Sequence, residues 1–236
     1  MEMRKFMKSF LPAVLILSLL LVGCGSNDNS TDADGEGNGE ANEQLKIGMV
    51  TDLGSVNDKS FNQSAWEGLQ KLQEDKGYEV QYLEPKSDGE VVPNLLEFVN
   101  AGYDLTWGTA ATLQDAITEI AESNPDAKLG IVDAVVDMPN VASVTFKEEE
   151  GSFLVGVIAG LTTETDKVGF VGGMEIPVIK RFESGFKAGV EAVNPDAEII
   201  INYTGDFSRV DMGKSAASTI YDDGADIIFH ASGLTG

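Results

Sequence analysis

The chain has 236 residues, with 39 Asp and Glu against 16 Lys and Arg, and a formal net charge of −23. So acidic a balance argues against nucleic acid as a partner, because nucleic-acid binders present a basic face. One histidine (His230) and one cysteine (Cys24) supply neither a His/Cys metal centre nor an internal disulfide framework.

In chain order, Arg4, Lys5 and Lys8 precede the apolar run LPAVLILSLLLV, which ends at Gly23-Cys24. A basic start, a short apolar stretch and small residues before a cut describe a secretory signal peptide. The run is shorter than the roughly 20 residues a membrane-spanning helix needs. Leu21-Val22-Gly23-Cys24 resembles the bacterial lipobox, in which the cysteine thiol is acylated and becomes the new N-terminus. The expectation is a signal peptide over 1–23 and a lipid on Cys24 that holds the chain on the extracytoplasmic face of the cell membrane. Residues 25–44, GSNDNSTDADGEGNGEANEQ, contain no large apolar side chain. Such a stretch cannot bury enough area to offset its ordering entropy, so it is expected to be a disordered acidic tether.

From residue 45 the sequence alternates strand-like apolar runs with helical periodicity. LKIGMV (45–50) leads into TDLGSVNDKSFNQ, then a helix from about Ser60 to Lys76 with Trp66, Leu69 and Leu72 on one face. YEVQYLE (78–84), a helix around VVPNLLEFVNAG, DLTWGT (104–109), a helix ending near Pro125, KLGIVDA (128–134) and VASVTF (141–146) follow. The grammar then restarts with a helix over 148–165, DKVGFVGG (166–173), a helix over 179–193, AEIIINY (197–203), a helix near Met212–Asp222 and ADIIFHA (225–231). Alternation of this kind predicts two α/β lobes, each a doubly wound parallel sheet: 45–147 with five strands and 148–236 with three. A three-stranded parallel sheet with an open edge is a poor stopping point, so the second lobe is expected to be incomplete.

No catalytic arrangement is legible. A Ser-His-Asp device would have to use His230, and no G-x-S-x-G elbow occurs. The aspartate-rich tether lacks the register of a calcium loop. No enzyme activity and no cofactor are therefore expected. Ligands in open α/β sheets sit beyond the carboxyl ends of the strands. There the sequence places Asp52, Asn57, Asp58, Asn62, Asp133 and Asp137, with Phe61, Trp107 and Phe207 as aromatics. Carboxylates that accept hydroxyl hydrogen bonds, beside aromatic faces, suit a planar, neutral, polar-edged ligand. A simpler role stands beside each: Phe61 as a staple under the first helix, Asp52 as an Asx-turn, Asp133 as a helix cap, Phe207 and Phe229 as core residues, and Trp66 and Trp107 as core.

The lipobox, the acidic tether and KIGMVTDLGSVNDKSFNQ with Trp66, Gly68 and Leu69 together resemble the basic membrane protein family of nucleoside-binding lipoproteins. The same family resemblance runs through EGSFLVGVIAGL (150–161), KVGFVGG (167–173), FESGFKAGV (182–190) and ADIIFHASGLTG (225–236). It implies a two-lobed type I periplasmic-binding-protein-like fold that closes on its ligand by a hinge. It further implies a monomer that delivers purine nucleosides (adenosine, guanosine or inosine) to an ABC permease. Phe61 would then stack on the base, Asp52 and Asn62 would bond the base or its surroundings, and Asp133 would take ribose hydroxyls. Asn57 and Asp58 share their turn, and Phe207, Phe229 and Gly233 would face the ligand from the second lobe. The sequence departs from the family pattern at Arg209, where an aspartate is expected, and in the turn Ser232–Gly236. A sugar or other small-molecule receptor of the same fold, and a surface adhesin or antigen, remain as alternatives.

Overall fold

In the computed structural model, residues 44–236 are described. The signal peptide, Cys24 and nearly all of the tether lie outside them. Strands β1 (Lys46–Val50), β2 (Glu79–Leu83), β3 (Leu105–Gly108), β4 (Leu129–Val132) and β5 (Val141–Val144) form one parallel sheet in the order β2-β1-β3-β4-β5. Strands β6 (Lys167–Gly172), β7 (Glu198–Tyr203) and β8 (Ile227–Ala231) form a second parallel sheet in the order β7-β6-β8. The strands at the first position of each unit, β1 and β6, lie between neighbours and are buried along almost their whole length, which is why each reads as an unbroken apolar run.

Helices cover both faces of each sheet. In the first, Trp66 of α1 (Phe61–Lys76) meets Tyr82 edge-on with ring centroids 4.7 Å apart. On the opposite face Phe98 of α2 (Asp88–Asn100) lies over Gly48, and Ile117 of α3 (Gln114–Ser123) lies over Gly108. Ile117, Ile120, Leu129 and Ile131 are the centre of this core. In the second sheet, α4 (Glu148–Thr162) and α5 (Pro177–Val193) cover the face that carries Phe170, while Ile220 of α6 (Val210–Asp222) lies over Gly169 on the other. Two doubly wound parallel sheets are thus present, five-stranded and three-stranded.

Several element ends differ from the sequence reading. Helix α2 starts at Asp88 rather than near Val91, because Asp88 and Glu90 favour a helix amino end and the Glu90 carboxylate accepts the Lys86 N–H at 2.9 Å. Helix α5 starts at Pro177, a residue whose missing N–H is no loss in the first turn. Strand β5 stops at Val144, which frees Phe146 to leave the sheet.

Helices α4 and α5 touch through their backbones. A Cβ added at Gly156 would meet the Phe186 carbonyl, one at Gly185 the Glu149 carbonyl, and one at Gly189 the Phe153 carbonyl. Because backbone rather than a flexible side chain would have to give way, Gly156→Ala is expected to destabilise the fold by about 1–3 kcal/mol, the usual range for overpacking. Gly68→Ala, on α1 with open space around it, is expected to stabilise it by about 0.5–1 kcal/mol. Urea unfolding of the two variants beside the wild type measures both.

Candidate functional site

A cleft of about 910 Å³ lies beyond the carboxyl ends of β1, β3, β4 and β8, bordered by both sheets and by the crossover between them. Its first wall begins at the turn TDLG. One Asp52 carboxylate oxygen accepts the Gly54 N–H at 2.8 Å and the Asn62 side-chain amide at 2.9 Å. The other oxygen takes no hydrogen bond from the described residues.

The next residues of that wall exist to hold the start of α1. The Asp58 carboxylate accepts the backbone N–H groups of Ser60 (2.8 Å), Asn62 (2.9 Å) and Gln63 (3.1 Å), and the Asn62 side-chain amide at 3.1 Å. These are donors that a helix amino end leaves without partners. Asn62 is 2 % exposed, and its side-chain oxygen accepts from Thr109 Oγ1 at 3.4 Å. Asp58 and Asn62 therefore border the cleft with their hydrogen-bonding capacity already committed, while Phe61 between them is half-buried against the first core and lines the cavity.

Asp133 follows β4 with φ 67°, a left-handed conformation aspartate tolerates better than most side chains. Its N–H donates to the Val144 carbonyl at 2.8 Å, which fixes the turn. Its carboxylate faces the cleft without a partner among the described residues. Across from it Glu148, the first residue of α4, is buried and accepts from Arg181 of α5: Nε to Oε2 at 2.7 Å and Nη2 to Oε1 at 3.3 Å. Burial is the largest single influence on the Glu148 carboxyl and raises it, but the Arg181 hydrogen bonds and charge together with backbone hydrogen bonds hold the group below the ordinary glutamate range. Asp133 is pushed the other way, up to about 6, first by burial and then by the nearby Glu148 charge, with Arg181 opposing.

The far wall is aromatic. Phe229 of β8 sits 5.8 Å from Phe170, 5.4 Å from Phe186 and 6.5 Å from Phe182 between ring centroids. Phe229 is thus both a core residue and a face of the cleft. Phe207 lies over Gly173. Gly233, with φ 56°, begins a short turn whose backbone approaches the Phe207 carbonyl, and it too borders the cavity.

Some residues expected at the site are elsewhere. Asn57 is exposed and does not border the cavity; its N–H bonds the Ser55 hydroxyl at 3.1 Å, on the outer side of the turn. Asp137 is exposed away from the cleft. Trp107 lies flat on the sheet over Gly130 of β4, and Trp66 lies on Tyr82. Asp52 does form the Asx-turn suggested as its simpler role, but keeps one oxygen free. Asp133 caps no helix. Arg209 pairs with Asp211 at 2.7 Å in solvent, outside the cleft.

The sequence reading missed Glu148, Ser152 and Phe182. Glu148 opens an acidic run that reads as a solvated helix start, yet only its neighbours Glu149 and Glu150 are exposed. A signal was present: 148, 152, 156 and 159 fall on one helical face with serine, glycine and alanine.

His230 is exposed, with Nδ1 3.4 Å from the Ser232 hydroxyl. Ser232 is 1 % exposed, and among the described residues no carboxylate bonds the imidazole, so this pair is not arranged as a nucleophile and base. Among the described residues no group of three or more His, Cys, Asp or Glu is placed to hold a metal ion. No described helix is long and apolar enough to cross a membrane.

Two parallel sheets with one cleft beyond their carboxyl strand ends give the chain a type I periplasmic-binding-protein-like fold, shared with the solute-binding proteins it resembles. The chain belongs to the Bmp family, described as ABC transporter substrate-binding protein PnrA-like, whose profile matches residues 45–236. It is 48 % identical over 203 residues to the CD4+ T-cell-stimulating antigen of Listeria monocytogenes, covering 84 % of this chain and 57 % of that one. It is 41 % identical over 197 residues to the ABC transporter nucleoside-binding protein BmpA of Lactococcus lactis, covering 81 % and 56 %. Among solved structures it resembles an ABC transporter solute-binding protein from Aeropyrum pernix, with a TM-score of 0.75 and 29 % identity over 81 % of this chain and 56 % of that one. The chain therefore spans just over half the length of the relatives it matches.

The raised Asp133 group gives a pH test. A folded chain that keeps this proton up to about pH 6, while the unfolded chain loses it near pH 4, loses stability as the pH rises through that interval. Asp133→Asn is therefore expected to be more stable than the wild type at pH 7 and equal to it below about pH 4. Urea unfolding at stepped pH measures the gap.

Proposed function

We propose that the chain is the ligand-capturing part of a membrane-tethered solute-binding lipoprotein that takes purine nucleosides and delivers them, as a monomer, to an ABC permease. The tether is the lipid on Cys24, on the extracytoplasmic face of the cell membrane. The observation that carries this reading is the gathering, in one cleft, of Phe61, Phe207 and Phe229 with two carboxylates that have open capacity, one oxygen of Asp52 and the unpartnered Asp133. A purine offers two flat faces to aromatic rings and donors along its edge; a ribose offers hydroxyls to a carboxylate. The Arg181 guanidinium is bound to Glu148, and Lys147, which lines the cleft, pairs with Glu150, so neither cation is left free for a phosphate. The name of the Lactococcus lactis relative points the same way.

A pyranose also stacks on aromatic rings, so a sugar ligand is the alternative this cleft allows. The name of the Listeria monocytogenes relative describes recognition by T cells, which specifies no ligand.

Isothermal titration of the full-length protein with adenosine, guanosine, inosine and ribose separates these readings. Saturation by a nucleoside in the submicromolar range is expected. Heat from ribose alone moves the reading to sugars, and no heat from any of the four refutes it. Phe61→Ala is expected to weaken nucleoside binding by about 1–3 kcal/mol, the scale of base stacking on an aromatic ring. In membrane fractionation Cys24→Ser is expected to release the protein from the membrane pellet.

A further inference from the structure

Two buried side-chain hydroxyls among the described residues have no hydrogen-bond partner, those of Thr106 and Ser152. Both residues are almost completely enclosed, at 1 % and 2 % exposure. A buried polar group without a partner is unfavourable, and native structures retain few of them. The two differ in position. Thr106 lies inside the first sheet, away from the cleft. Ser152 borders the cleft, one turn of α4 after Glu148.

Its surroundings show what it lacks. The Glu148 carboxylate is taken up by Arg181, Lys147 beside it pairs with Glu150, and Val155, Ile179 and Phe182 on this wall are apolar. The Asp133 carboxylate, which takes no hydrogen bond from the described residues, is near enough to Glu148 to feel its charge. The cleft wall thus carries an unspent carboxylate at Asp133 and, enclosed behind its surface, an unspent hydroxyl at Ser152.

We infer that Ser152 is a ligand-reading residue, whose hydroxyl forms with Asp133 a corner that binds a sugar hydroxyl of the ligand. For this the enclosed Ser152 side chain must turn between staggered positions so that its hydroxyl reaches the cavity when a ligand is bound. A ligand hydroxyl that donates to Asp133 then accepts from Ser152, or donates to it in turn. The inference rests on the nucleoside reading and deepens it: discrimination falls on the ribose, by a residue outside the aromatic and carboxylate set. A site built to bond a hydroxyl rejects the analogue that lacks it, because its own polar groups are then left unpaired.

The test uses full-length wild type, Ser152→Ala and, as a control, Thr106→Val, which removes the other unpartnered hydroxyl at nearly constant volume. Calorimetry compares the tightest of adenosine, guanosine and inosine with its 2′-, 3′- and 5′-deoxy analogues. Ser152→Ala is expected to weaken the parent nucleoside about tenfold while leaving one deoxy analogue unchanged, so that the wild-type preference for that hydroxyl collapses. Thr106→Val is expected to leave every ratio unmoved. In the ligand-free state both variants are expected to melt higher than wild type, by about 2–4 °C. Equal weakening of the parent and all analogues, or unchanged ratios, overturns the inference while the nucleoside reading stands. A lower melting temperature of ligand-free Ser152→Ala overturns it as well. Failure of the wild type to bind any of the three nucleosides overturns the nucleoside reading and this inference with it.

Discussion

The first wall of the cleft depends on where the free donors at the start of α1 find their partner. An α-helix begins with N–H groups that no carbonyl of its own can reach. Here Asp58 gathers three backbone N–H groups and the Asn62 amide on one carboxylate. Asn62, held from behind by Thr109, passes the constraint to Asp52. The chain of contacts runs from a helix terminus to a single unspent oxygen, and Phe61 is carried along because it lies between two anchored neighbours. None of these positions needs a ligand to be set, which lowers the ordering cost that a ligand would otherwise meet.

The second wall is held by a different device. Tyr203 of β7 donates its hydroxyl to Glu183 of α5 at 2.5 Å, and Lys180 lies 3.2 Å from the same carboxylate and 4.5 Å above the Tyr203 ring. Burial and the Glu183 partner push the Tyr203 phenol up to about 12, so the donor stays protonated throughout the physiological range. This brace ties α5 to the sheet beside the aromatic cluster of Phe170, Phe182, Phe186 and Phe229. One wall is therefore fixed by polar contacts around a single turn and helix start, backed by Thr109 from the end of β3, the other by a polar brace between β7 and α5.

That difference explains what could be read from the residues alone. The strands β1 and β6 were legible because a strand buried on both faces must be apolar throughout, and the alternation of strand and helix fixed two parallel sheets. The turn after Val50 was legible as polar and special, since so many short polar groups together have few other uses. Which of them turn inward was not legible: Asn57 and Asp58 are adjacent, yet one is exposed and the other 5 % exposed. The Glu148–Arg181 pair spans 33 positions, and no local pattern announces it. The missing partner of Ser152 is less legible still, because an unmet hydrogen bond exists only once the surroundings are assembled.

Among the described residues the chain passes from the first sheet to the second once, over 145–147, and Glu148 begins α4 at once afterwards. The glycine contacts that let α4 and α5 meet backbone to backbone make those two helices one solid piece. Glu148 and Ser152 stand on one member, Arg181 and Phe182 on the other. The wall cannot be tuned one helix at a time: a methyl group inserted at Gly189, far along the helix from the cleft, levers α4 as a whole. Drift at those glycines would therefore reach the cleft and the stability of the fold together.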